Sequence, residues 1–343
     1  MRLKKLFISV IVIGMLASYF LYSIFLKRHK NPAQGETVLI IPRGAGIVQI
    51  AEQLQQNGVI ADAARFRLAA KLGGYDRSLR AGKYAFPEEN SNLDVLHRLK
   101  QGLVYNETVT IPEGSTARMI AGLLQRKMEI DSTAFMRCVD DAGLAKELGV
   151  PAQSLEGYLF PETYRLAWGM KPCQIARTLV QEFFRQLPDS AESKAAALGF
   201  SLHEVITLAS IVEGEAMLDD ERPIIAGLYY NRLRKGIRLQ ADPTIQYIIP
   251  DGPRRLLNKD LRIDSPYNTY RYAGLPPGPV NNPGRKSIEA ALNPADVPYI
   301  YMVARGDNSH VFSRTLREHN IAKREFDKIR RQVARARRQQ QRK

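Results

Sequence analysis

Two cysteines, Cys138 and Cys173, are all that the 343 residues carry, too few for the disulfide framework of a small secreted domain and wrongly spaced for a zinc site. They read as two small buried apolar residues, with a single bridge in an oxidising compartment as the alternative. The chain also lacks a Walker loop, a dinucleotide-binding glycine pattern, an HExxH pair, a nucleophile-elbow serine and a cysteine in a catalytic motif. Those absences exclude the common nucleotide-dependent, zinc-hydrolase and covalent-nucleophile classes, and neither a metal nor a cofactor is expected. Histidine is scarce, five in all, and His310 and His319 read as surface or structural residues. Charge of either sign is missing between Leu6 and Leu26, roughly the 20 residues that a helix needs to cross a bilayer. The run is long and ends without an Ala-x-Ala site, which favours an uncleaved anchor over a signal peptide. Basic residues flank it on both sides (Arg2, Lys4 and Lys5; Lys27, Arg28 and Lys30), so charge gives no orientation.

The net charge of +15 gathers at the two ends of the chain. The segment KREFDKIRRQVARARRQQQRK from Lys323 reads as a solvated tail, with anionic lipid headgroups as a second reading. No reading module or aromatic interleaving accompanies it, so a nucleic-acid partner is not expected.

The length allows two folded regions, and the fold class is α+β. The expected division is a short N-terminus (1–5), a transmembrane anchor (6–26), a polar linker (27–36), a small α+β module (37–107), a larger mainly helical domain with mixed α/β elements (108–330) and a basic tail (331–343). The small module reads as strand Val38–Ile41, helices Ile47–Gln56 and Ala63–Leu72, strand Lys83–Phe86 and helix Leu93–Lys100. A partial repeat aligns IPRGAGIVQIAEQLQQNGVIADAA from Ile41 with IPEGSTARMIAGLLQRKMEIDSTA from Ile111. In both copies Pro-x-Gly stands between a strand and an amphipathic helix, so the glycine serves a turn. The larger domain is expected to hold helices at Ile175–Arg185, from Ser201 to about Met217 behind a capping box with Glu204, and from Pro223 to Gly236.

Within SLHEVITLASIVEGEA, Glu215 shares a helical face with Leu208, Ile211 and Val212. A carboxyl buried on an apolar face has its pKa raised and stays protonated near neutrality, a state able to donate a proton. Glycosidases usually pair two carboxylates, but residues two apart on a helix point about 200° from one another, so Glu213 is not its partner. Glu162, Glu221 and Asp242 are candidates for a second acid; without one, Glu215 must act as both acid and base. The competing structural readings are a helix-end Glu215 bound to Arg222 or Arg232, a turn-capping Asp242, exposed Asn231 and Arg232, and packing roles for Tyr267, Tyr270 and Tyr272. The loops RLQADPT and YNTYRYAGLPPGPVNNPG suit a sugar-binding groove, which makes Gln240, Asp242, Tyr267, Asn268 and Tyr270 the candidate substrate contacts.

Taken in order, LASIVEGEA, YYNRL, RLQADPT, YNTYRYAGLPPGPVNNPG, AALNPA and YIYMVA, with EGYLFPETY ahead of them, resemble the endolytic murein transglycosylases of the MltG (YceG-like) family across almost the whole chain. The resemblance implies a bacterial inner-membrane protein crossing once, with residues 1–5 cytoplasmic, a LysM-like small module, and a periplasmic catalytic domain. The implied reaction is a lyase cleavage of nascent peptidoglycan strands between N-acetylmuramic acid and N-acetylglucosamine, leaving 1,6-anhydro ends and terminating elongation. It carries the catalytic role onto Glu215, the second Glu of the VE-x-E motif, without metal or cofactor. Peptidoglycan synthases are then plausible partners, since a terminating enzyme must meet new strands. The alternatives are a glycoside hydrolase of cell-wall glycan and a non-catalytic anchored scaffold. One departure is Gly214 and Ala216, where many relatives read EKET. Gly costs a helix interior about 1 kcal/mol relative to Ala, so a looser helix end is expected.

Overall fold

The computed structural model describes residues 2–32, 35–42, 44–76, 78–102, 105–250, 252–326 and 328. The basic tail assigned to 331–343 lies outside the described residues. The architecture mixes helix and sheet, and about half the chain is helical. The chain folds into two compact units, Met1–Thr108 with Arg165–Met170, and Val109–Tyr164 with Lys171–Lys343.

The first unit begins with α1 (Arg2–Leu21), followed by a π-helical segment (Tyr22–Leu26). Together they supply the one described helix long and apolar enough to cross a membrane, Phe7–Leu26. Its side chains, among them Phe7, Ile13 and Leu16, are mostly exposed. Near its end Ile24, 2% exposed, enters the core of this unit with Leu39, Ile41, Leu54, Phe66, Phe86 and Leu96, and the partly buried Phe25 packs against that core. The strand β1 (His29–Lys30) pairs with β4 (Glu89–Asn90), and β2 (Thr37–Ile41) pairs antiparallel with β3 (Gly82–Phe86) from Thr37↔Phe86 to Ile41↔Gly82. Between β2 and β3 lie α2 (Ile47–Gln56) and α3 (Ala63–Leu72), and α4 (Asn92–Gln101) follows behind a Ser91–Asp94 capping box. The segment 27–36, which the sequence presents as a linker, is tied into this unit: β1 belongs to a ribbon and Asn31 is buried.

The chain passes between the units three times: within β5 (Asn106–Thr110), within β6 (Thr163–Ala167) and between Met170 and Lys171. Residues 165–170, which the sequence pattern leaves with the larger domain, therefore belong to the first unit. There Lys83 holds its ammonium 4.8 Å above the Tyr105 ring and 4.5 Å above that of Trp168.

The second unit is mainly helical: α5 (Ala117–Met128), α6 (Ser132–Val139), α7 (Ala142–Glu147), α8 (Pro172–Gln186), α9 (Ala191–Leu198), α10 (Leu202–Glu215), α11 (Arg222–Arg234), α12 (Asp242–Ile248) and α13 (Arg285–Leu292). A hairpin of β7 (Tyr301–Ala304) and β8 (His310–Ser313) follows, and residues 316–326 are helical. The two repeat glycines, Gly44 and Gly114, have φ of +79° and +71°, so both occupy the left-handed turn position that glycine adopts without a Cβ clash.

α10 is the central helix, packed by α9, α11, α12 and α13. Val205 to Val212 is buried without interruption, so the helix is enclosed on all sides, where the sequence suggests a single apolar face. It ends at Glu215, short of Met217, because Ala216 turns extended (φ −78°, ψ 123°). Cys138 and Cys173, for which the sequence favours two separate buried residues and leaves a bridge as the alternative, form a disulfide joining α6 to the first turn of α8, with Cα atoms 5.3 Å apart. Sequence offers no means of knowing that α6 and α8 pack together. Closing a loop of 35 residues is expected to stabilise the fold by about 3–4 kcal/mol through restriction of the unfolded chain. The double variant Cys138→Ala, Cys173→Ala should lose about that much in urea unfolding. A loss under about 1 kcal/mol would show that the bridge contributes little.

Candidate active site

Glu215 lies where α10 emerges from the core into a cavity of about 460 Å³. The cavity is built by α10, by Tyr229 and Arg232 of α11, by Gln240 and Tyr270 from two loops, by Asp242 at the start of α12, and by β7, His310 and the 316–326 helix. Its half-buried carboxyl is closely surrounded by protein atoms, and burial, reinforced by the charge of Asp242, pushes its pKa up to about 7. Two donors oppose that rise without cancelling it: the Tyr229 hydroxyl donates to Oε1 at 3.1 Å, and the Asp242 backbone N–H donates as well. The Tyr229 hydroxyl is itself held well above its ordinary pKa, first by burial and then by Glu215. It is therefore a permanent neutral donor.

Glu213 turns away, as the helical geometry requires. Its Oε1 is 3.2 Å from Arg222 Nη1, and its Oε2 accepts from the Gly284 backbone N–H at 2.9 Å. Arg222 is buried and also contacts Asp219 at 3.1 Å and the Ser287 hydroxyl. The first Glu of the motif thus clamps α10 to α11 and α13 through an ion pair whose partner cannot be removed without stranding a buried charge. Glu215 is bound to neither Arg222 nor Arg232 among the described residues.

Of the other acids, the Glu162 carboxylate accepts, among the described residues, only from the adjacent Thr163 N–H, at 2.8 Å. Glu221 is taken by His310, accepting from its backbone N–H at 2.8 Å with Oε2 2.7 Å from Nδ1. Asp242 shares the Glu215 cavity, and its Oδ1 accepts from the Tyr270 hydroxyl at 2.5 Å.

Gln240, Asp242 and Tyr270 therefore come together with Glu215. Gln240 is left-handed (φ 53°), an unusual conformation for a side-chain-bearing residue, and is held by Arg232 Nη2 donating to Oε1 at 3.0 Å. Thr269 fastens the two loops: its carbonyl accepts from Gln240 N–H, its hydroxyl accepts from Ala241 N–H at 3.1 Å and sits 2.9 Å from that of Thr244. Asn268 and Tyr267 do not line the cavity. Asn268 is fully buried and braces the loop through the carbonyls of Leu261 and Ile263, while Tyr267 packs against the Tyr247 ring at 5.0 Å. Adjacent loop residues point different ways, which composition cannot reveal.

Gly214 has a closer purpose than loosening the helix. A Cβ there would lie 2.6 Å from the Pro243 ring, so glycine lets the first turn of α12, at Asp242 and Pro243, press against the last turn of α10. The loop PVNNPG is stapled to the same helix: Ser210 accepts from Val280 N–H and from Asn281 Nδ2. Buried Asn282 accepts from Gly157 and Leu159 N–H and donates to Glu156.

Sequence reasoning misses Tyr229, Arg232, Tyr301, His310, His319 and Lys323, which all line the cavity. Tyr229 and Arg232 stand three apart, on one face of α11, and both fall within YYNRL, the two sequence signals that link them. Among the described residues no cluster of His, Cys, Asp and Glu could hold a metal ion.

The sequence profile of the YceG-like family matches residues 39–325. The chain belongs to the YceG-like family. It is similar to the "Endolytic murein transglycosylase" of Bacillus subtilis, 33% identical over 327 residues, covering 90% of this chain and 89% of that one. The protein of the same name from Streptococcus pneumoniae serotype 2 is 31% identical over 298 residues, covering 77% of this chain and 53% of the longer relative. The crystal structure of a YceG-like protein from Listeria monocytogenes matches with a TM-score of 0.59 at 31% identity, covering 84% of this chain and 99% of that one.

Tyr229→Phe should raise the Glu215 pKa further, because it removes a hydrogen bond that favours the carboxylate. The alkaline limb of the pH–rate profile is expected to move upward, and turnover to fall about 10- to 100-fold, the cost of a hydrogen bond to a charged group. A limb that stays in place would show that the hydroxyl does not govern this acid. Because the folded-state pKa lies above the ordinary 4.5, Glu215 contributes stability that is full below about pH 4.5 and lost as pH rises through about 7.

Proposed function

We propose that this YceG-like chain is a membrane-anchored endolytic peptidoglycan lytic transglycosylase, a lyase cutting nascent strands between N-acetylmuramic acid and N-acetylglucosamine. The observation that carries the proposal is Glu215: a carboxyl with its pKa pushed up to about 7, in a cavity, in a chain whose relatives are named endolytic murein transglycosylases. Protonated Glu215 gives its proton to the glycosidic oxygen as the C1–O4 bond breaks and positive charge develops on the muramoyl ring. The resulting carboxylate, stabilised by Tyr229, takes the proton of the muramoyl C6 hydroxyl as O6 bonds to C1. Glu215 is regenerated, no water is consumed, and a 1,6-anhydro end remains. Gln240, Asp242 and Tyr270 are the wall residues assigned to sugar contacts.

A second reading, hydrolysis, draws on Asp242: a second carboxylate in the same cavity has the means to orient a water molecule.

The anchor reading draws support from Ile24, whose place in the core of the first unit would be lost if the N-terminal helix were removed as a signal. The disulfide supports an oxidising, periplasmic setting for the second unit. The strand–helix–helix–strand order of β2, α2, α3 and β3 is the frame read as LysM-like. New strands being the substrate, peptidoglycan synthases are the partners this role calls for.

Mass spectrometry of products from uncrosslinked glycan tests the proposal. Anhydro ends are expected from the native chain and no cleavage from Glu215→Gln. Reducing ends would establish the hydrolase instead, and equal cleavage by both forms, or by neither, would reject a catalytic Glu215.

A further inference from the structure

We infer that Arg232 reads the 3-O-lactyl substituent of the muramoyl residue, and so selects which of the two alternating sugars presents its C1 to Glu215; the inference rests on the transglycosylase reading above. The two sugars of the strand differ by that ether alone, so an enzyme that cuts after only one of them needs a group to recognise it.

Arg232 is 8% exposed and lines the cavity that holds Glu215. A guanidinium has five N–H donors and cannot shed its charge, yet its hydrogen-bond partners here are neutral. Nη1 donates to the Leu239 carbonyl at 2.8 Å and Nη2 to Gln240 Oε1 at 3.0 Å, while Nε is buried without a partner. Among the described residues no carboxylate lies within ion-pairing distance of it. Arg222, at the other end of the same helix and equally buried, is neutralised by Glu213 and Asp219. That contrast decides the matter: one buried arginine of α11 is a structural ion pair, and the other faces the active-site cavity with its charge uncompensated, a costly state unless an acceptor arrives.

The surrounding wall is shaped for the same purpose. The Arg232 guanidinium lies 5.7 Å from the Tyr301 ring centroid, and Tyr301 stacks with His319 at 5.3 Å, whose Nδ1 is also buried and unpartnered. Lys323 adds a second cation to this side, while Asp242 is engaged by Tyr270. The lactyl group offers the matching chemistry, an acceptor oxygen: an amide carbonyl where a stem peptide is attached, a carboxylate where it has been removed. Arginine binds either through charge-assisted hydrogen bonds.

The test is a calorimetric titration of the full chain in detergent, carrying Glu215→Gln so that nothing is turned over. Three oligosaccharides of equal length are compared: stem-bearing glycan, amidase-stripped glycan, and a chitooligosaccharide with no lactyl group. Adding Arg232→Gln is expected to weaken both muramoyl ligands about tenfold or more while leaving the chitooligosaccharide within about twofold. A loss confined to the stripped form assigns the free carboxylate as the ligand, and one confined to the stem-bearing form assigns the amide or the stem; either upholds Arg232 as the reader. Equal loss on all three, or loss on none, overturns the inference. If the Gln variant fails to fold, Arg232→Lys, which keeps the charge beside Tyr301, is read by the same comparison. Binding is measured without chemistry, so a failure here is distinct from a failure of the Glu215 mechanism, which shows in the products.

Discussion

A helix buried along its length must end somewhere, and the site depends on where α10 does so. From Val205 to Val212 every residue is enclosed, and one turn later the chain emerges at a carboxyl. Burial disfavours the charged form of Glu215, Asp242 adds like-sign repulsion, and the partial negative charge of a helix C-terminus acts in the same direction. Tyr229 and the Asp242 N–H limit the rise, so the acid is poised near neutrality instead of being locked in the protonated state. Such a group suits a reaction in which one residue first gives a proton and then takes one.

The rest of the second unit holds that turn in place. Glu213 and Arg222 fix α10 to α11, which sets Tyr229 opposite Glu215. Ser210, Asn281 and Asn282 fix the loop that precedes α13, and Thr269 joins the Gln240 and Tyr270 loops. Gly214 sets the distance between α10 and the start of α12, since any side chain there would meet Pro243. Two Glu residues of one motif thus divide the work: Glu213 is a structural counter-ion, and Glu215 faces the cavity.

Much of this was legible in the sequence where periodicity or a motif carried it. The helices of the small unit, the capping box at Ser201 and the opposed directions of Glu213 and Glu215 all follow from helical geometry. Loop composition pointed to Gln240, Asp242 and Tyr270, but it named Tyr267 and Asn268 equally, because nothing in a loop sequence says which side chain braces the backbone. Arg232 was hidden for a different reason. α11 is buried on most of its surface, including both Arg222 and Arg232, so the rule that charged residues mark the solvent face fails there. The Cys138–Cys173 bridge depends on two helices meeting in space, and His319 and Lys323 reach the cavity through the same kind of long-range contact.

The central claim is that the fold holds Glu215 protonated near neutrality. Carboxyl ¹³C NMR of the full chain labelled at glutamate, with Glu215→Gln used to assign the resonance, measures this directly. A titration midpoint near pH 7 is the expected result. A midpoint near the ordinary 4.5 would mean that Glu215 is a solvated carboxylate, and the acid–base account would be contradicted.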